Sequence, residues 1–342
     1  EHMYVATNHQ YMMFFTQKGK CFWMRVYEIP EGSKTAKGRA IQNLVNIESD
    51  DKVKAFICTQ DLKDKDYINS HNLIMVTKKG QVKKTSLEKY SKPRVNGVAA
   101  ITIKEGDELL EAKLTNGESQ IILAVKSGKL VRFGETKTRP RGRTAYGVRG
   151  ITLKDDTDEV IGMVTVDKDN VNDSQILVVT ENGYGKRTKL VDEDGEDVYR
   201  ITNRGGKGVK TLNITEKTGK LISINAVTDA DDLMIINKSG LTIRMAIEDL
   251  RVMGRATQGV KLINLKGKDS IAAVTKVMKD DVAEVVVDEE GNVIETEAIE
   301  RVKPVLEVLE DEGTEEDDDE DDSVEEEADD ETDEGDDEDD EA

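Results

Sequence analysis

An all-β fold made of repeated sheet units is what this 342-residue sequence predicts, and three observations carry it. A strand, a Gly turn and a second strand recur five times. Each of these is followed, at a similar distance, by a basic segment with a Gly that leads into another strand. Stretches with a 3.6-residue apolar period are nearly missing, apart from short pieces such as 246–250. Internal repeats outrank other signals, because a period of this kind decides the architecture.

The five hairpins are YMMFFTQKGKCFWM from Tyr11, LIMVTKKGQVKKT from Leu73, IILAVKSGKLVRF from Ile121, ILVVTENGYGKRT from Ile176 and LMIINKSGLTIRM from Leu233. Each has β-branched and apolar residues, a polar-Gly turn at Gly19, Gly80, Gly128, Gly183 or Gly240, then apolar residues alternating with basic ones. That is the pattern of two antiparallel strands joined by a tight turn.

The second element reads SKTAKGRAIQNLVNI, SKPRVNGVAAITI, RGRTAYGVRGITL, TNRGGKGVKTLNI and MGRATQGVKLINL. In each, basic and small residues precede Gly38, Gly97, Gly147, Gly208 or Gly259 and an alternating strand follows. A third element, such as 160–164 or 221–224, opens the next unit. The period is about 50–60 residues with roughly four strands per unit, which is propeller-like. With aromatics at 4%, the blades must pack through Ile, Leu, Val and Met.

Beyond Lys279 the pattern fades. Residues 282–309 hold one further hairpin, VAEVVVDEEGNVIETEAI, without a basic Gly element. From 310 to 342 there are 25 acidic residues and no basic one. Such a tail buries too little apolar surface to offset its ordering entropy and is expected to be disordered. The expected organisation is a β-domain over 1–281, an extension over 282–309 and an acidic tail over 310–342. The formal net charge of −22 belongs to that tail. Without it the 49 Lys and Arg residues slightly outnumber the remaining acids, so nucleic acid stays open as a partner despite the low overall pI.

The longest apolar runs fall far below the roughly 20 residues needed to cross a bilayer, and Glu1 to Gln10 has no signal-peptide pattern. The expectation is a soluble piece of a longer polypeptide with no membrane contact. Cys21 and Cys58 make no metal spacing, and a lone Cys in an apolar strand is core by default; reduced thiols fit a cytoplasmic setting. Catalysis has little support, since His2 and His9 lie at the start of the chain and His71 falls in a loop. Pairs such as Asp155–Asp156 and Asp231–Asp232 read as turns between blades. No catalytic residue and no metal ligand is assigned.

The basic loops are the strongest functional clue. The first holds Lys34, Lys37 and Arg39, and the second Lys92 and Arg94. The third, the richest, holds Arg139, Arg141, Arg143 and Arg149. The fourth has Arg200, Arg204, Lys207 and Lys210, and the fifth Arg251, Arg255 and Lys261. On the hairpin strands, Lys83, Lys84, Arg132, Lys186, Arg187 and Arg244 add to the set. Cations repeated on equivalent loops form a curved track suited to the backbone of a bent duplex, which carries no sequence information. The glycines are expected to let DNA come close. No strand face is aromatic enough for stacking single-stranded bases. A propeller used as a protein-interaction scaffold is the competing reading, because a fold of this kind hosts many functions.

Several long segments resemble the C-terminal domain of DNA gyrase A subunits, a family of type IIA topoisomerase domains. They are the run from Glu1 to Ile47, GDELLEAKLTNGESQIILAVKSGKLVRF, GRTAYGVRGITL, ENGYGKRT and GRATQGVKLINL. The resemblance covers about 1–280, and the acidic end is also similar. It implies a six-bladed β-pinwheel, with about five full blades in this chain, that wraps double-stranded DNA around its rim. Wrapping would support ATP-dependent negative supercoiling by the whole bacterial enzyme, a heterotetramer of A and B subunits.

The breaking-rejoining tyrosine, ATP and Mg2+ would act in other parts, with no cofactor here. The family's Q-R-R-G-G-K-G box lies upstream of Glu1, and Glu1 to Thr7 looks like the closing strand of that first blade. Asn203–Arg204–Gly205–Gly206–Lys207–Gly208 is an echo that lacks the Gln and one Arg. Topoisomerase IV, whose blades are fewer and more degenerate, is the alternative within the same class. The acidic tail has two readings: a DNA mimic that competes for the rim, or a solubilising extension.

Overall fold

The computed structural model describes residues 6–33, 38–265, 267 and 269–278, with the backbone of 286–287 and 293–294. The first hairpin pairs β1 (Tyr11–Thr16) with β2 (Lys20–Arg25), and β3 (Val53–Thr59) lies on the far side of β1. A six-residue helix, α1 (Lys65–Ser70), precedes the second hairpin, β4 (Asn72–Thr77) and β5 (Gln81–Ser86). Then come the short β6 (Val98–Ala99) and β7 (Leu109–Thr115), which pairs with β4. The third unit runs β8 (Gln120–Val125), β9 (Lys129–Gly134), β10 (Val148–Arg149) and β11 (Val160–Val166). The fourth runs β12 (Gln175–Thr180), β13 (Tyr184–Lys189), β14 (Val209–Lys210) and β15 (Leu221–Val227). The fifth runs β16 (Asp231–Asn237), β17 (Thr242–Ala246), β18 (Val260–Lys261) and β19 (Ile271–Met278). Beyond it β20 (Val286–Val287) pairs with β21 (Val293–Ile294), where the extra hairpin was expected.

The sheets do not follow the sequence units. Their orders are β3-β1-β2-β6, β7-β4-β5-β10, β11-β8-β9-β14 and β15-β12-β13-β18, followed by the three-stranded β17-β16-β19. The short strand after each basic loop from the second to the fifth therefore completes the sheet of the hairpin one unit earlier, not that of the hairpin directly before it. This corrects the reading in which hairpin and following basic element form one blade. It also leaves the fifth sheet one strand short among the described residues.

The first strand of each hairpin is mainly apolar on both faces, because consecutive blades pack on either side. Residues alternate between two cores: Ile121, Leu123 and Val125 join Ile74 and Val76, whereas Ile122 and Ala124 join Ile176 and Val178. Period 2 is present, but both phases are buried, so the run looks continuously apolar. Cys21 is buried in the core between the first two blades, and both cysteines are free thiols. Burial pushes the Cys21 thiol pKa up.

Three smaller expectations are corrected. Asp231 and Asp232 belong to strand β16 and are buried, not in a turn. His71 caps the C-terminus of α1, where its Nδ1 lies 2.8 Å from Tyr67 O. The piece near 246–250 is one 3-10 turn, Ile247–Asp249. Lys34, Lys37, most of Glu1 to Thr7 and the tail over 310–342 lie outside the described residues.

Candidate nucleic-acid interface

Strands β3, β7, β11, β15 and β19 touch one another from blade to blade. That edge of each sheet faces the shared interior, so the opposite edge, made by β6, β10, β14 and β18, faces outward. Every basic loop from the second to the fifth enters one of these outer strands. For the second to fifth of the five loops, the topology places the basic segments on one edge of the sheets.

Hydrogen bonds at fixed offsets from the loop glycine seat the loops. Three residues after it, the N–H groups of Ala100, Gly150, Thr211 and Leu262 donate to Gly19, Gly80, Gly128 and Gly183 carbonyls at 2.7–2.8 Å. Five residues after it, Thr102, Thr152 and Asn213 donate to Ala145, Gly206 and Thr257 carbonyls at 2.9–3.2 Å. These last bonds join each loop to the next, so the rim is one continuous backbone network rather than separate loops.

The glycines serve this packing. A Cβ on Gly208 (φ 76°) would lie 2.5 Å from Leu130 O, and one on Gly97 (φ 69°) 2.8 Å from Cys21 O. Both conditions, a left-handed φ and contact with the neighbouring backbone, select Gly. The close approach at these two glycines is to the hairpin one unit earlier, a packing role that the sequence reading did not assign.

The cations on the hairpin strands are also placed differently from expectation. Lys186 and Arg187 are buried, as are Lys83, Lys84 and Arg132, and Arg244 is half-buried. Alternation of apolar with basic residues implied a solvated face, but the blades cover both faces of these hairpins. Each charge is matched by acceptors instead. Lys83 Nζ donates to Ala100 O (2.8 Å) and Arg143 O (2.6 Å). Lys186 Nζ donates to Arg255 O (2.6 Å), Gly254 O and Thr257 O. Lys84 pairs with the buried Glu135 at 3.0 Å.

Arg132 donates to Gln120 Oε1 (2.6 Å), Asp197 Oδ1 (2.8 Å) and Tyr199 O (2.8 Å). Burial lowers its pKa, and Asp197 acts in the opposite direction. Arg187 bonds to Leu250 O and pairs with Asp229, while Arg244 pairs with Asp232 at 2.7 Å. Carbonyls of the basic loops are the common target of Lys83, Lys186, Arg132 and Arg187. Sequence reasoning missed this role, although a cation at the fourth position after Gly80, Gly128, Gly183 and Gly240, with a second at the third position after Gly80 and Gly183, was a signal.

The other loop cations stay on the surface. Arg39, Lys92, Arg94, Arg139, Arg149, Arg200, Lys207 and Arg251 are exposed; Arg141, Arg143, Arg204, Lys210, Arg255 and Lys261 are half-buried. Arg204 reaches Lys137 O (3.3 Å) and Arg149 O (3.4 Å), tying the fourth loop to the third. A planar fork in that position can bridge carbonyls and still present N–H groups outward.

Among the described residues no group of three His, Cys, Asp or Glu side chains could hold a metal, and no helix is long and apolar enough to cross a membrane. An open cleft of about 620 Å³ lies by the hairpin turns of the first two blades. It is lined by Lys18, Lys78, Lys104, Asp107 and Glu108, and Lys78 is ion-paired there with Glu108.

Comparison with known proteins agrees with this architecture. The family model described as "DNA gyrase C-terminal domain, beta-propeller" matches residues 10–60, 71–116, 120–167, 174–228 and 231–278, one segment per hairpin. The DNA gyrase A subunit of Staphylococcus aureus (strain MRSA252) is 41% identical over 289 residues, covering 84% of this chain and 31% of that protein. Its counterpart from strain NCTC 8325 / PS 47 is 41% identical over 274 residues, 80% of this chain and 29% of the relative. The chain thus spans about a third of the length of the curated relatives it matches.

Among solved structures, the C-terminal domain of DNA topoisomerase IV superposes with a TM-score of 0.69 at 23% identity, covering 79% of this chain and 80% of that one. A DNA gyrase A C-terminal domain superposes at 0.64 and 22%, covering 80% and 84%. At these identities the structures speak for the fold. With five family segments, one per blade, and 41% identity to a gyrase A protein, the chain belongs to the DNA gyrase C-terminal domain family.

Proposed function

We propose that this chain binds double-stranded DNA along its outer rim without reading sequence, and bends it around the blades. The observation that carries the reading is the continuous rim: exposed arginines and lysines sit on loops joined to one another at a constant register. Phosphate contacts need only cations and backbone N–H groups, and a rim fixed in advance can follow a curved duplex. Bending a 20–30 bp segment by 40–90° costs of order 1–6 kcal/mol, which many distributed contacts can offset. In a complete gyrase, where A and B subunits assemble, this wrapping would serve ATP-dependent negative supercoiling. The strand-breaking tyrosine, ATP and Mg2+ then act elsewhere in the enzyme, and this piece needs no cofactor of its own.

Fluorescence anisotropy on a duplex of arbitrary sequence, repeated over a range of salt, tests the proposal. If about eight phosphates are neutralised, log K falls against log salt with a slope near −7. A flat salt response, or tight binding to only one sequence, would overturn it. No binding at any salt would favour the protein-interaction scaffold instead.

A further inference from the structure

Exposed apolar side chains occur on the basic loops in a fixed relation to arginine. Val95 is 87% exposed, Ile201 48% and Val252 37%, and Pro140 is also exposed. Each directly follows an exposed arginine: Arg94–Val95, Arg139–Pro140, Arg200–Ile201 and Arg251–Val252. One exposed Val or Ile calls for no explanation, since much of any surface is apolar. Four in successive loops, each directly after Arg, are a pattern, which Tyr146 of the third loop (51% exposed, after Ala145) does not share.

Three of the pairs share a register. Pro140, Ile201 and Val252 lie seven residues before the loop glycine and bridge to Lys84, Arg132 and Arg187 of the hairpin one unit earlier. The next residues, Arg141, Thr202 and Met253, donate their N–H groups to the carbonyls of those same three cations at 2.8–2.9 Å. On the other side, Arg132 holds Tyr199 O and Arg187 holds Leu250 O, each two residues before the apolar tip. The Arg–apolar pairs of the fourth and fifth loops are therefore bracketed by hydrogen bonds, and that of the third is held on its C-terminal side, each presented outward on fixed backbone. In the shorter second loop Val95 takes another register but keeps its arginine.

Rigid apolar tips among cations suit one occupant better than others. Resting on this duplex-binding reading, we propose that Val95, Pro140, Ile201 and Val252 are wedges that enter the minor groove and partly unstack a base step. The adjacent arginine holds the flanking phosphate or the narrowed groove. Proteins that kink DNA from the minor groove use Ile, Leu, Pro and similar side chains in this way, and the kink lets the duplex wrap more protein surface. Pyrimidine–purine steps unstack most easily, so wedges favour T–A steps over A-tracts without reading bases.

The test compares the 342-residue chain with a variant carrying V95S, P140S, I201S and V252S, which keeps every arginine. The probes are duplexes with 2-aminopurine, whose fluorescence rises on unstacking, placed in a T–A step or in an A-tract. The wild-type chain is expected to raise the signal at the T–A step more than in the A-tract. The variant is expected to bind with the same salt slope, to lose that rise, and to bend the duplex less by end-to-end energy transfer. An unchanged salt slope also shows that the variant has folded. Wild-type binding with no rise at either site overturns the wedges alone, and so does a variant that keeps the full rise and bend. Absence of wild-type binding would instead remove the duplex-binding reading beneath them.

Discussion

Replacing Arg132 with Met keeps most of the side-chain volume and removes its charge, so the outcome reports the hydrogen bonds it makes. Arg132 is 1% exposed and donates to Gln120, Leu190, Asp197 and Tyr199. The losses differ among the four. Asp197 is 40% exposed and rehydrates, and Leu190 O keeps a bond from Val198 N–H. Tyr199 O, which is buried, and Gln120 Oε1, on a half-buried side chain, lose their charged donor. A buried acceptor left unsatisfied costs about 1–3 kcal/mol, so the sum is about 3 kcal/mol, at the lower end of what breaking a buried pair costs. With a urea dependence of about 3 kcal/mol/M, the midpoint falls by about 1 M. Amide exchange at Thr202, whose N–H donates to Arg132 O, is expected to accelerate more than exchange at Ile57. A midpoint shift below about 0.3 M, with unchanged exchange at Thr202, would refute the claim that buried cations seat the rim loops.

Three further outcomes follow from the same structure. Arg139→Glu with Arg149→Glu changes two exposed side chains; binding is expected to weaken alike for all sequences, with the salt slope less steep by about 2, whereas a loss confined to certain sequences would mean base readout. Glu48 is held at a pKa of about 2 by Lys20 and Lys18; a depressed carboxylate pKa means a contribution present above its usual range near 4.5 and lost as pH falls towards about 2, so a resonance titrating near its ordinary value would contradict those ion pairs. Truncation after Leu309 removes 25 acidic residues and is expected to tighten DNA binding at low salt and change it little at high salt, where charges beyond a Debye length are screened; equal affinity at low salt would leave the tail a solubilising extension.

Most of the fold was legible because glycine is informative where φ must be positive. Gly19, Gly80, Gly128, Gly183 and Gly240 all adopt φ of 81–89° at hairpin turns, and their recurrence set the number of blades. Strand exchange between units was not legible, since β6, β10, β14 and β18 are two residues long and pair with distant partners. A two-residue strand has no period to read. The exposed half of the rim was found from charge alone. The buried half was misplaced, because a basic residue alternating with apolar ones on a single sheet faces water, whereas here Lys186 and Arg187 sit between packed blades. The Arg–apolar pairs were visible in the sequence but became meaningful only once Pro140, Ile201 and Val252 shared a bridge register.

The most direct test of wrapping is topological. A nicked plasmid is sealed by ligase in the presence of increasing amounts of the 342-residue chain, the protein is removed, and the linking number is counted. A duplex bent around a chiral rim traps writhe, so a linking-number shift that grows with protein concentration is expected. Saturating binding with an unchanged linking-number distribution would contradict the account, because the rim would then hold DNA without curving it in a defined hand.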